Sequence, residues 1–140
     1  MTFKLSVAES NTEAGRSAIL AQLRDYNHAR AGATEVMPLA VLLHNERGDV
    51  VGGLHAVSAY DWLIVELVFV PDAMRGRGVG SALLARAEEI ARARSCTGVW
   101  LDTFSFQARG FYERLGYQLF GTIEDHPAGA ERYFLKKMLA

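Results

Sequence analysis

A chain of 140 residues, half of them hydrophobic, can bury one core without metal or disulfide staples. Its formal net charge of −1 supplies no general basic field, so a nucleic-acid partner is not expected. The single cysteine, Cys96, excludes an intrachain disulfide and fits a cytoplasmic compartment, with the thiol read as a packing group and not a nucleophile.

Residues 1–10 lack the long apolar stretch of a signal peptide. Phe3, Leu5 and Val7 alternate with polar residues and predict a short strand. Ser10 or Asn11 is placed to cap the helix that follows. Ile19, Leu20, Leu23 and Tyr26 recur at helical spacing, and Gly32 ends that region. Residues 39–43 and 50–57, joined by Asn45-Glu46-Arg47-Gly48-Asp49, predict a β-hairpin. After a turn at Tyr60-Asp61, residues 62–70 read as a buried central strand. That run is broken by Glu66 and is too short to span a bilayer, so no membrane partner is expected.

Pro71 ends the strand, and Gly76, Gly78 and Gly80 lead into a helix whose apolar stripe is Val79, Leu83, Ala87, Ile90 and Ala91. Glu88 and Arg92 are spaced as an exposed helical ion pair. Residues 99–103 predict a strand. Ala108, Phe111, Tyr112 and Leu115 predict a second stripe, closed by Gly116. Residues 119–123 and 133–139 are the last two strands. The order β-α-β-β-β-α-β-α-β-β describes a single mixed α/β domain over residues 1–140, one sheet flanked by helices. The four histidines are scattered without metal-type spacing, so no metal is expected.

Arg75-Gly76-Arg77-Gly78-Val79-Gly80 is the most informative segment. Glycines let a backbone turn sharply and approach a ligand. The unbonded amides and dipole of a helix start favour an anion such as a pyrophosphate. Read alone, the segment is also open to being a turn that merely lets strand and helix pack. It is not a triphosphate loop, because no lysine precedes Ser81. It is not a dinucleotide fingerprint either, because its glycines are spaced two and two.

Residues 70–84, with Arg75, Gly78 and Gly80 in the defining places, resemble the acetyl-CoA motif Arg/Gln-x-x-Gly-x-Gly/Ala of the GNAT superfamily of N-acetyltransferases. Ala108-Arg109-Gly110-Phe111-Tyr112-Glu113-Arg114-Leu115-Gly116-Tyr117 resembles the family's second motif, Ala-x-x-Phe-Tyr-x-x-x-Gly-Phe/Tyr. The resemblance covers nearly the whole chain and implies a central, mostly antiparallel sheet. It implies that acetyl-CoA is held by Arg75, Gly76, Arg77, Gly78, Val79, Gly80 and Ser81. It adds backbone bonds from Val68 and Val70, beside a bulge that aims an amide at the thioester. Where the family often has an asparagine contact this chain has Ser105, with Gln107 as a substitute. A homodimer is left open.

Acetyl transfer needs a deprotonated amine, donors for the oxyanion and a proton for the leaving thiolate. The resemblance makes Tyr112 the general acid, whereas its stripe position alone reads as core packing. Glu66, the one acid in its strand, is either a satisfied structural carboxylate or a general base or anchor for the amine. By two-residue alternation it shares a face with Ile64 and Val68. Glu124, Asp125 and Glu131 read as a solvated hairpin loop, with attraction of a cationic acceptor as the second reading. His28 and Arg30 fall where the family shapes its acceptor pocket. The expected activity is transfer from acetyl-CoA to a primary amine of a small molecule or protein. The alternatives are a non-catalytic acyl-CoA-binding module and, disfavoured by the acidic balance, an aminoacyl-tRNA acetyltransferase.

Overall fold

The structure, a computed structural model, describes residues 2–140. Two compact units are present, Met1–Thr34 and Glu35–Ala140. The first contains α1 (Glu13–Ala31), which ends at Gly32, a cap with a positive φ of 84°. Its N-cap is Thr12, one residue past the expected Asn11, and no side chain bonds the first amides. Phe3, Leu5 and Val7 belong to no strand, because no neighbouring strand offers them a ladder.

The second unit follows the predicted order from the hairpin onward. Its elements are β1 (Met37–His44), β2 (Val50–Ala59), β3 (Trp62–Phe69), α2 (Val79–Ala93), β4 (Gly98–Phe104), α3 (Arg109–Arg114), β5 (Gln118–Glu124) and β6 (Glu131–Met138). The sheet order is β1-β2-β3-β4-β6-β5. Only β3 and β4 run parallel, which is the pair that α2 joins as a crossover. The mixed α/β class and the central place of β3 are as expected.

Alternation decides which face is buried. Leu54, Ala56, Leu63, Val65, Val99, Leu101 and Leu135 are buried on one face. They form the core with Leu83, Leu84, Ala87 and Ala91 of α2 and with Tyr112 and Tyr117. The second face carries Ile64, Trp100, Phe134 and Lys136, which line an apolar cavity of about 650 Å³ with Trp62 and Phe120.

Two polar clamps fix this arrangement. Arg94, just past α2, donates to the carbonyls of Met37 (3.0 Å) and Pro38 (2.9 Å) and to Ser58 Oγ (3.0 Å). The helix end is thereby tied to the β1–β2 edge. Glu88 differs from its expected role: it is buried, and Arg92 lies 3.9 Å away. Its partners are Tyr117, whose hydroxyl donates to Oε2 at 2.9 Å, and Lys137, whose Nζ donates to Oε1 at 2.8 Å. The four-residue helical spacing shows only the helix neighbour, while the fold brings in Tyr117 and, from β6, Lys137. The buried phenol of Tyr117 is pushed far up by desolvation and then by Glu88.

Removing the cation should strand a buried carboxylate. Lys137→Met is expected to lower unfolding stability by about 1–3 kcal/mol, less than a fully buried pair because Lys137 is partly solvated. Adding Glu88→Gln should recover part of that loss, as read by urea denaturation of both variants.

Candidate active site

The pairing of β3 defines the site. Ala59 faces Trp62 across a tight turn, and the register runs unbroken to Ala56 opposite Val65. It then shifts, so that His55 faces Leu67 and Leu54 faces Val68. Glu66 is therefore an extra residue in β3, a β-bulge of the kind the family resemblance implied. Beyond it the alternation is reversed. Val68 and Val70 pack on the core, while Glu66, Leu67 and Phe69 are exposed. The expectation that Glu66 and Val68 share a face fails for this reason.

The same residues end the parallel ladder. β3 and β4 pair from Trp62/Gly98 to Val65/Leu101 and no further. Among the described residues, no sheet bond ties residues 66–69 to β4. The strands fork, leaving one edge of β3 with donors and acceptors for a ligand.

The glycine segment follows at the mouth of this fork. A short 3-10 turn, Asp72–Met74, leads into it. Arg75 Nε donates to Val70 O at 2.9 Å, and its Nη1 pairs with Asp72 Oδ1 at 2.6 Å. Arg75 thus folds the loop back onto the strand end as well as adding charge. Arg77 is exposed and, among the described residues, has no ion pair, so its charge is free for an anion. Gly78 is the N-cap of α2 with φ 77° in the left-handed region, and no side chain caps the helix. The amides of Val79, Gly80 and Ser81 open the 15-residue helix. A Cβ on Gly80 would meet Phe111 Cζ at 3.0 Å, so glycine also allows α2 and α3 to approach closely.

Tyr112 lies on α3 and is 8% exposed. Its ring packs edge-on against Phe111 (5.0 Å) and Tyr117 (6.0 Å). Burial raises the phenol pKa, and the Asp102 carboxylate raises it further. Asp102 is the first β4 residue past the last β3 pair, which relates the phenol to the fork. Ser105 ties the end of β4 to the start of β6: its amide donates to Glu131 O (2.8 Å), and its Oγ accepts from Glu131 N (3.0 Å). Gln107 turns inward, its Oε1 accepting from Phe104 N (2.7 Å) and Thr103 Oγ1 (3.1 Å). Of the two substitutes for the family's asparagine, Gln107 is held through its Oε1 and Ser105 through its Oγ as acceptors, which leaves the Ser105 hydroxyl proton and the Gln107 amide as donors.

Glu66 is half-exposed and hydrogen-bonded to His55 Nδ1 at 2.8 Å. It is thus not the buried charge that an apolar strand suggested. His55 was not singled out in the sequence, although counting back from the Ala59/Trp62 turn pairs it with this stretch of β3. Across the fork, Arg132 donates to Asp102 Oδ1 at 2.8 Å and lies 5.4 Å from the rings of both Phe104 and Phe134. Glu124, Asp125 and the exposed turn after them form the solvated hairpin loop, with Asp125 accepting from Gly129 N. His28 and Arg30 occupy the last turn of α1, where Arg30 donates to Tyr26. Among the described residues no group of acids, histidines and cysteine forms a metal site, and no helix is long and apolar enough to cross a membrane.

Comparison with known proteins bears on this geometry. The Acetyltransferase (GNAT) family pattern matches residues 6–117. The acetyltransferase Atu2258 of Agrobacterium fabrum is 41% identical over 138 residues, 98% of each chain. The blasticidin-S acetyltransferase of Streptomyces morookaense is 42% identical over 114 residues, covering 79% of this chain and 84% of its own. An acetyltransferase structure from Bacillus cereus superposes with a TM-score of 0.83 at 31% identity, covering 96% and 98% of the two chains.

A side chain at Gly78 would strain the left-handed cap by about 1–2 kcal/mol and crowd the amides beyond it. Gly78→Val should therefore weaken coenzyme A binding by about tenfold or more while the sheet remains folded. Calorimetric titration with coenzyme A, beside a circular dichroism melt, measures both.

Proposed function

The chain belongs to the Acetyltransferase (GNAT) family and is an acetyl-CoA-dependent acyltransferase, and from that premise we propose that it acetylates a primary amine by direct attack in a ternary complex. The observation that carries this reading is the fork beyond Val65 and Leu101, opening beside the glycine-capped start of α2. A pantetheine arm can extend along an unpaired strand edge, and a pyrophosphate suits free helix amides.

In this reading Arg75 shapes the loop, and Arg77 with the amides of Gly76, Gly78, Val79, Gly80 and Ser81 holds the pyrophosphate. Backbone groups of Val68 and Val70 bond the pantetheine, and the Ser105 hydroxyl donates its remaining proton to the cofactor. The whole of residues 1–140 acts as one catalytic domain, in the cytoplasm, without a metal.

The reaction then follows from charge flow. A neutral amine attacks the thioester carbon, and the oxyanion is met by a backbone amide at the bulge. The tetrahedral carbon expels sulfur, and Tyr112 supplies the proton that makes the free thiol. A raised pKa suits this role because the phenol is still protonated at neutral pH. Glu66, exposed on the second face, serves the incoming ammonium as base or anchor, directly or through the group it bonds. The apolar cavity on that face offers room for the body of the acceptor. The relative named for blasticidin S makes that compound the first acceptor to test.

Thiol release from acetyl-CoA, measured over a panel of primary amines with blasticidin S included, tests the proposal. Tyr112→Phe should lower kcat by about 10²-fold or more without changing the KM for acetyl-CoA. A general acid must be protonated, so activity falls as pH rises through its pKa. Because that pKa is raised, no alkaline loss from Tyr112 should occur below about pH 10. Coenzyme A binding without thiol release for any amine would instead make the protein an acyl-CoA-binding module.

A further inference from the structure

We propose that His55 is a catalytic residue: its Nε2 takes the proton from the acceptor ammonium, while Glu66 positions the ring through Nδ1. The inference rests on the acetyl-transfer reading and assigns the base within it.

Geometry carries the assignment. The Glu66 carboxylate and His55 Nδ1 are 2.8 Å apart. With the carboxylate ionised, that contact requires a proton on Nδ1, which leaves the Nε2 lone pair as the acceptor. The hairpin register makes the pair: counting out from Ala59 opposite Trp62 brings Glu66 beside His55, and the bulge adds Leu67 there, at the point where β3 leaves β4. Both side chains are 47% exposed, so an acceptor can reach the ring from solvent. The neighbours are simple. Ala40 faces His55 from β1, and Leu67 and Glu66 face it from β3. Glu66 is the charged group among them, and among the described residues no other cation forms an ion pair with its carboxylate. An imidazole also exchanges protons nearer neutral pH than a carboxylate does.

The proton balance closes. The ammonium gives one proton to Nε2, and the neutral nitrogen forms the C–N bond. The C–S bond breaks as sulfur takes the Tyr112 proton. The second N–H proton lost by the tetrahedral nitrogen returns through solvent to Tyr112. The net product is one proton, released from the half-exposed imidazole to water.

Two measurements test this. Long-range ¹H–¹⁵N spectra of the wild type, which need no acceptor, should show neutral His55 protonated at Nδ1, and Glu66→Gln should shift it toward mixed tautomers. A wild-type ring protonated at Nε2 would overturn the proposal. Kinetically, His55→Gln should lower kcat/KM for blasticidin S, or for the best amine of the panel, by about 10²–10⁴-fold. It should leave calorimetric affinity for coenzyme A unchanged and abolish the acidic limb of the pH profile. If wild type turns over an amine and His55→Gln retains both its rate and its acidic limb, His55 has no such role, and acetyl transfer itself stands. If the wild type turns over no amine at all, acetyl transfer fails together with this role.

Discussion

One extra residue in β3 governs the rest of the structure. Before Glu66, β3 is an ordinary central strand, paired on both edges and alternating in step with its neighbours. After it, the strand has changed face and kept only one partner. A bulge bends its strand and increases local twist, which is how β3 parts from β4. The cost is a set of backbone groups without sheet partners, and a protein tolerates such groups where water or a ligand can satisfy them. Glu66 keeps the outward face of Ile64 and meets His55 there, while the bulge brings Val68 back onto the core. The unpaired edge of β3 follows from that insertion, and the His55–Glu66 pair sits where it begins.

Holding a fork open requires rigid walls. On one side, Arg94 fastens the end of α2 to the carbonyls of Met37 and Pro38. On the other, Glu88 joins α2 to Tyr117 and to Lys137 on β6. The helix that presents its bare N-terminus at the mouth of the fork is therefore tied near its far end to both halves of the sheet. Its glycines remove side chains at the start, and its polar clamps act two or more turns away. The bare cap is thus separated from the clamps that hold the helix.

Much of this was legible in the sequence. Periodicity located every strand of the second unit to within a few residues, because one face of the sheet is buried and alternation records that. Gly76, Gly78 and Gly80 marked a sharp turn into a helix, and two of them, Gly76 and Gly78, do adopt positive φ, while Gly80 makes room for Phe111. Other features were not legible. Phe3, Leu5 and Val7 alternate like a strand, yet a strand exists only when it finds a partner. Glu88 counts as an exposed helix residue until tertiary contacts bury it. The bulge is invisible to alternation, which is why Glu66 and Val68 were assigned to one face. His55 was within reach: the Ala59/Trp62 turn fixes the register, and counting outward from it brings His55 beside Glu66.

The two faces of the sheet divide the chemistry between them. The buried face seats α2 and α3, and hence everything proposed to hold the cofactor and to protonate its sulfur. The second face carries Glu66, His55, Asp102, Arg132 and the aromatic rings of Trp100, Phe104 and Phe134. A thioester lying in the fork would be met by its binding groups from one side and by the acceptor from the other. Amine and thiolate then occupy opposite sides of the reacting carbon, which suits a tetrahedral intermediate formed on one side and collapsed on the other. Separate proton sites follow from that geometry. A single group cannot both receive the ammonium proton on one face and deliver a proton to sulfur on the other, so the proposed reaction uses two stations divided by the sheet, His55 with Glu66 and Tyr112.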